Sequence, residues 1–278
     1  SREGTWRLVS RETGVGPVYL DPDGSVWFGS RKGLARWKDG RLEYRGRDTI
    51  LPDWRVRAIL RDRSGDLWVG TFSAGLARLR VGVVRAVGAR EGLDLEGTTA
   101  VALAPNGDLL AGGFETGLVQ WHPVNGLVGR WTEDEGLPGA TVWTLSRDVL
   151  DASGVWVGGD GGLAWWQDGR LSRIGPRGIA HGGPLRLVFA DPQDPGVLWA
   201  QAEKGPLMAL GAPAGVAATA NTGLPDGRIR FMHRDRRGRL LAGGERGLFV
   251  RAATGWRGVP AGGVALRELK AIAEGRDG

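Results

Sequence analysis

The sequence predicts an all-β fold, a β-propeller of four-stranded blades, and three observations support this prediction. Glycine accounts for 49 of the 278 residues and tryptophan for 13, a composition that favours short strands and turns over long helices. The two ends of the chain resemble complementary parts of one repeat. A glycine-rich motif recurs at intervals of 41, 42, 44, 43 and 44 residues, which is the period of a propeller blade, when its copies are aligned on Asp21, Asp62, Ala104, Asp148, Asp191 and Asp235.

Each copy of the motif divides into four strands in chain order. The apolar run before the turn, residues 55–60 in the second copy, is strand A, which lies nearest the axis of a propeller. An Asp-x-x-Gly turn follows, in which the aspartate accepts from backbone N–H groups and the glycine takes positive φ. Strand B carries a tryptophan, Trp68 in this copy, whose ring can fill the space between adjacent blades. The pair Gly75-Leu76 begins strand C, and an outer strand D completes the blade.

The chain predicts seven blades in preference to six. Residues 264–278 end in a copy of strand A with its turn, and residues 1–14 resemble an outer strand D, so both segments are expected to contribute to one closing blade. Strands B and C of that blade would lie outside this chain. Closure of this kind removes open sheet edges. The whole chain is then one domain, whose other blades are expected at residues 15–46, 54–88, 98–131, 140–174, 184–219 and 228–259.

The repeat resembles the two-component regulator propeller repeat of bacterial sensor proteins. The pattern is Gly-Leu-Pro, an apolar strand, Asp-x-x-Gly, apolar-Trp-apolar-Gly and Gly-Leu, and it recurs through nearly the whole chain. Two copies depart from it with Leu110 and Leu241 in place of tryptophan, and the fifth, ADPQDPGVLWAQ, is closer to the Asp-box propellers of some glycosidases. The resemblance implies a periplasmic or extracytoplasmic sensory domain. It also implies downstream transmembrane and histidine kinase or diguanylate cyclase modules in the parent chain.

Composition excludes several other classes of function. The chain contains no cysteine, which excludes disulfides and thiolate metal sites. It contains no run of about 20 apolar residues, so no membrane span is predicted. The net charge of +6 comes mainly from arginines scattered through every repeat, and their lack of any dense run or recognisable module argues against nucleic-acid binding.

The sequence offers few candidates for catalysis. The three histidines are predicted in an outer turn, a loop and a strand A, where ordinary polar roles are favoured: His122, His181 and His233. No phosphate-binding loop, nucleophile elbow or metal-ligand spacing is present, so no cofactor and no metal are predicted. Four acids fall in the loops between strands B and C, where they could include a glycosidase pair, although pairing with neighbouring arginines is favoured: Glu115, Asp160, Glu203 and Glu245.

The candidate ligand site comes from comparing strand A between blades. Five residues before each turn residue, the repeats carry Gly16, Arg57, Thr99, Trp143, Arg186, Arg230 and, in the partial blade, Lys270. Arg55 and Arg228 lie two positions earlier on the same strand face. Guanidinium groups suit carboxylate or sulfate, and a tryptophan ring suits a sugar. We therefore predict a ligand site at the mouth of the central channel, formed by Arg55, Arg57, Trp143, Arg186, Arg228, Arg230 and Lys270.

The leading hypothesis from sequence is a non-enzymatic sensory domain. Its ligand would be a small molecule or oligosaccharide that is anionic or carbohydrate-like. The alternatives are a propeller enzyme acting on polysaccharide, such as a glycosidase or lyase, and a protein-interaction scaffold. The cationic side chains could also simply pair with rim acids such as Glu268. A homodimer could form through the outer strands or the flat faces.

Overall fold

The computed structural model describes residues 16–45, 55–80, 83–95, 97–148, 152–194, 196–212, 220–260 and 267–272. These residues form six separate antiparallel sheets, in each of which strands that follow one another in sequence are paired. The helices in these ranges are two single 3-10 turns, Ala89–Glu91 and Pro176–Gly178. No helix there reaches the length and hydrophobicity that a membrane span requires.

The first three sheets have four strands each. They comprise β1 (Val18–Leu20), β2 (Val26–Ser30), β3 (Gly33–Lys38) and β4 (Arg41–Arg45); β5 (Val56–Arg61), β6 (Leu67–Thr71), β7 (Leu76–Arg80) and β8 (Val83–Val87); and β9 (Thr98–Leu103), β10 (Leu109–Gly113), β11 (Gly117–His122) and β12 (Gly126–Trp131).

The fourth and sixth sheets have four strands, and the fifth has three within the described residues. They comprise β13 (Val142–Arg147), β14 (Gly154–Gly159), β15 (Gly162–Gln167) and β16 (Arg170–Ser172); β17 (Leu187–Ala190), β18 (Leu198–Gln201) and β19 (Met208–Leu210); and β20 (Ile229–Arg234), β21 (Leu240–Gly244), β22 (Gly247–Ala252) and β23 (Gly255–Gly258). Part of the range predicted for the fifth blade, residues 213–219, lies outside the described residues.

The first strands of successive sheets contact one another, which arranges the sheets as the blades of a β-propeller. Contacts join β1 to β5, β5 to β9, β9 to β13, β13 to β17 and β17 to β20. Side chains also link these strands across blades: the amide of Ala190 donates to Ser146 Oγ at 2.9 Å. The prediction of an all-β propeller with four-stranded blades is therefore confirmed.

The preference for seven blades is wrong for the part of the chain that the structure describes, which forms six. Residues 1–14, 264–266 and 273–278 of the predicted closing blade lie outside the described residues. Residues 267–272 contain no strand, although the amides of Glu268 and Leu269 donate to the carbonyl oxygens of Glu245 and Gly244 at 3.2 and 2.9 Å. The segment thus docks beside the sixth blade.

The turn aspartate and the strand B tryptophan of a blade are directly connected. Trp68 Nε1 donates to Asp62 Oδ2 at 2.8 Å, and Trp156 Nε1 donates to Asp148 Oδ2 at 2.9 Å. Both tryptophans are fully buried and pack against apolar residues of their own blade and the next. The predicted role of these rings between blades is therefore confirmed, and the aspartate has a second role that its turn motif did not indicate.

The glycine two residues after the tryptophan permits the inner strands of neighbouring blades to approach closely. A Cβ atom on Gly70 would lie 2.6 Å from Thr98 Cγ2 of the next blade, and one on Gly158 would lie 2.8 Å from Val188 Cγ2 of the next blade. Such distances are too short for any side chain. Glycine at this position therefore permits the strands around the channel to pack closely.

Candidate ligand-binding site in the central channel

A β-bulge or a similar irregularity in the innermost hairpin sets apart one side chain in each of five blades. In the second blade Val56 pairs with Thr71 and Ala58 with Gly70, so Arg57 between them has no paired residue of its own. The same irregularity falls at Thr99, Trp143 and Arg230. In the fifth blade the amide of Arg186 donates to the carbonyl of Gln201 at 2.8 Å, although Gln201 also pairs with Leu187. Bulges re-aim side chains, and these five residues are the positions that the repeat comparison selected.

All seven predicted ligand residues line one cavity of about 730 Å³. These residues are Arg55, Arg57, Trp143, Arg186, Arg228, Arg230 and Lys270. Arg31 of the first blade and Glu203 of the fifth line it as well, so the lining contains seven cationic side chains and one carboxylate. The equivalent residue in the third blade is the neutral Thr99, whose hydroxyl donates to the carbonyl of Val142. The cavity is therefore strongly cationic.

Trp143 and Arg186 form a stacked pair on one wall of the cavity. The guanidinium carbon of Arg186 lies 3.5 Å from the centroid of the Trp143 ring. The indole N–H of Trp143 donates to Asp160 Oδ1 at 2.6 Å, and the Phe114 ring packs edge-on against the indole with centroids 5.8 Å apart. One face of the tryptophan is consequently covered by the arginine. The sugar-stacking role that the sequence suggested for this ring is thus restricted to its other face.

Glu203 joins two of the predicted arginines. Arg186 Nη2 donates to Glu203 Oε2 at 2.9 Å, and Arg228 Nη2 donates to Glu203 Oε1. The hydrogen bond and positive charge of Arg186, followed by the charge of Arg228, lower the pKa of Glu203. A general acid needs a raised pKa, so this carboxylate is arranged for ion pairing rather than for proton donation.

Arg230 faces two acids from the same side of the channel. Its Nη2 atom lies 3.3 Å from Glu245 Oε1 and 3.7 Å from Glu268 Oε2. The pairing of Arg230 with Glu268 that the sequence suggested is present. Arg230 nevertheless lines the cavity. Partial loss of hydration lowers the pKa of Lys270, and the charge of Arg230 lowers it further against the attraction of Glu268. Cations therefore crowd this part of the cavity.

Arg55 and Arg57 share an aromatic partner. Their guanidinium carbons lie 4.0 and 4.9 Å from the centroid of the Phe72 ring. Phe72 is 40% exposed, and Phe114 in the next blade is 42% exposed. These two rings and Trp143 belong to three successive blades and form an aromatic edge beside the cationic cavity, whose lining includes Trp143 but neither phenylalanine.

The sequence comparison missed Phe72, Phe114 and Arg31. They occupy one repeat position, four residues after the strand B tryptophan or its leucine replacement, and this position also contains Asp160, Glu203 and Glu245. The site prediction rested on all residue types of strand A but only on the acids of the B–C loops. A comparison of all residue types at this position of the B–C loops would have added Phe72, Phe114 and Arg31 to the three acids. Glu115, by contrast, lies one residue beyond this position, in a left-handed turn with φ of 56°.

The histidines do not suggest catalysis. His122 Nδ1 accepts from the backbone amides of Val124 and Asn125 at 3.2 and 3.0 Å, which stabilises the outer turn of the third blade. The carbonyl of His181 accepts from the amide of Leu163 at 2.9 Å, and His233 lies within β20. Across the described ranges, no group of three histidine, aspartate or glutamate side chains is placed to hold a metal ion.

The fold and its repeated hairpins define the chain as a β-propeller. Residues 50–73, which include β5 and β6 of the second blade, match the family described as "Two component regulator propeller". The resemblance inferred from the repeat is confirmed over this segment. A search of curated proteins found no match to the chain.

Solved structures share the propeller fold at low sequence identity. The extracellular domain of the putative hybrid two component system BT3049 from B. thetaiotaomicron is 15% identical with a TM-score of 0.73 over 94% of this chain, which spans 37% of that chain. A streptogramin B lyase is 14% identical with a TM-score of 0.68 and coverage of 98% and 90%. Virginiamycin B lyase from Staphylococcus aureus is 12% identical with a TM-score of 0.66 and coverage of 92% and 87%. Because these identities are low, the likenesses concern the fold alone.

Proposed function

We propose that this chain is the ligand-binding sensory propeller of a bacterial signal-transduction receptor, and that an anionic or carbohydrate-like ligand occupies the central cavity. The observation that carries the proposal is the convergence of arginines from the second, fifth and sixth blades on one cavity. Like charges held together destabilise a fold unless an anion is present, and guanidinium groups are well suited to bind carboxylate or sulfate.

The aromatic residues support a ligand that is more than a simple anion. Phe72 and Phe114 present partly exposed rings beside the cationic lining, and aromatic rings in binding sites commonly pack against the apolar face of a sugar. An acidic saccharide would use both features at once. Its acid groups would contact the arginines, while its ring would lie along the aromatic edge.

The proposed setting is extracytoplasmic. The two component regulator propeller match and the likeness to an extracellular receptor domain support it. The two component regulator propeller match extends the proposal to transmembrane and kinase or cyclase modules in a parent protein. Binding can be transmitted to such modules only if the ligand favours one arrangement of the propeller, or of a homodimer, over another.

Isothermal titration calorimetry with acidic oligosaccharides and their neutral counterparts tests the proposal. We expect the acidic compounds alone to bind, and we expect R57A/R230A to reduce affinity by at least tenfold, because two charge-assisted contacts are lost. R41A, which removes an exposed arginine from outer strand β4, is the control and should bind as the wild type does. Absence of binding to the wild type, or equal binding by R57A/R230A, would contradict the proposal.

A further inference from the structure

We propose that Glu203 occupies a carboxylate subsite between Arg186 and Arg228, and that a ligand carboxylate takes its place there. This inference rests on the proposed function and deepens it in two ways. It identifies the acid group of the ligand as a carboxylate rather than a sulfate. It also makes Glu203 a residue that sets the affinity by competing with the ligand.

The contacts of Glu203 have the form of ligand recognition. Each oxygen of one carboxylate accepts from a different arginine, Oε2 from Arg186 at 2.9 Å and Oε1 from Arg228. The two arginines come from different blades, and both line the cavity. Two guanidinium groups that share one planar carboxylate already have the spacing that a second carboxylate would need.

The arginines are held more firmly than the glutamate. Arg186 stacks on Trp143 at 3.5 Å and lies at the bulge of the fifth blade, and the backbone amide of Arg228 donates to Glu245 Oε2 at 3.2 Å. The side chains of Arg186 and Arg228 are 22% and 29% exposed, whereas that of Glu203 is 47% exposed. An exposed ion pair contributes little to stability, so the glutamate is the partner that can be exchanged at small cost.

The exchange needs only a rotation of the Glu203 side chain. Its loop is fixed by Gln201, whose Nε2 atom donates to the carbonyl oxygens of Gly205 and Gly227 at 3.0 and 3.1 Å. The backbone can therefore stay in place while the carboxylate turns outward to solvent. A carboxylate that arrives from the cavity would then contact Arg186 and Arg228 and lie close to the cations around Lys270.

Calorimetry on the wild type and variants measures the dissociation constants of digalacturonate, its neutral methyl ester and inorganic sulfate. E203Q should bind digalacturonate about fivefold more tightly than the wild type, because the internal competitor has lost its charge. E203D keeps the charge on a shorter side chain, so its affinity should fall between the two. E115Q removes an exposed carboxylate from the loop between β10 and β11 in the third blade and controls for the general change in charge; its affinity should match that of the wild type.

The outcomes separate this inference from the proposed function. If neither wild type nor E203Q binds digalacturonate, sulfate or the ester, the proposed ligand site is overturned. If the wild type binds digalacturonate and a correctly folded E203Q binds it equally or more weakly, the role of Glu203 is overturned and the site stands. Equal gains for sulfate and digalacturonate in E203Q would overturn the assignment to carboxylates. Thermal unfolding of each variant establishes that the compared proteins are folded.

Discussion

Arg234 of the sixth blade forms an ion pair with Asp191 of the fifth through two contacts. Its Nε atom lies 3.0 Å from Oδ1, and its Nη2 atom contacts Oδ2. The Asp191 side chain is 1% exposed and that of Arg234 is 16% exposed. Arg61 and Asp21 form the corresponding pair between the second and first blades. An arginine just before the turn aspartate thus connects two blades where the preceding blade also has a turn aspartate, as in the second and sixth blades.

We expect R234A to destabilise the propeller by about 3 kcal/mol, because it leaves the buried Asp191 carboxylate without its charged partner. Urea unfolding at neutral pH measures the change in free energy. R41A, on the exposed outer strand β4, should change it by less than about 0.5 kcal/mol. Equal stability of R234A and R41A would mean that the inter-blade pair does not stabilise the ring.

The Trp68–Asp62 hydrogen bond should appear in the acid unfolding of the protein. Burial acts to raise the pKa of Asp62, but hydrogen bonds from Trp68 and Ser64 outweigh it, so the pKa is lowered. A lowered folded-state pKa stabilises the protein above the unfolded value of about 4, and this stability is lost as pH falls through the folded value. W68F should cost about 2 kcal/mol at pH 7, since it removes a hydrogen bond to a charged group.

The pH dependence separates this effect from simple loss of packing. With Trp68 replaced, the pKa of Asp62 should move back toward its ordinary value, so the loss of stability between about pH 5 and pH 3 should be smaller in W68F than in the wild type. Unfolding free energies measured across this range provide the comparison. Parallel curves for the two proteins would show that the indole N–H does not stabilise the ionised aspartate.

Close packing around the channel predicts a strong effect at Gly70. A Cβ atom there would lie 2.6 Å from Thr98 Cγ2, so G70A should destabilise the protein by about 2 kcal/mol. G258A is the matched control, because nothing lies within 4 Å of a Cβ atom at that position. The double variant G70A/T98S removes the obstructing methyl group and should recover part of the loss. Failure of the serine to recover any stability would contradict the proposed steric cause.

Much of this architecture could be predicted because the residues that determine it recur in each repeat. The period, the turn and the tryptophan are local features, and the alignment of strand A identified the bulge residues Arg57, Trp143 and Arg230 from sequence alone. The number of blades could not be predicted from local features. A blade consists of paired strands, and each terminal segment resembled only one strand of the repeat. The stacking of Arg186 on Trp143 was also hidden, since it joins residues of different blades and depends on how those blades face each other.

The cationic cavity should also be visible in the response of the protein to anions. Arg57, Arg230 and Lys270 lie close enough that the charges of both arginines lower the pKa of the lysine. A multivalent carboxylate such as citrate, at low millimolar concentration, should therefore raise the melting temperature more than chloride at equal ionic strength, because it binds the folded state preferentially. The same citrate should have a much smaller effect on R57A/R230A. This comparison cancels general effects of citrate on protein hydration, which both proteins share. An equal shift in the wild type and the double variant would place the anion effect outside the channel, whereas a shift that disappears with the arginines locates it at the lining where the blades converge.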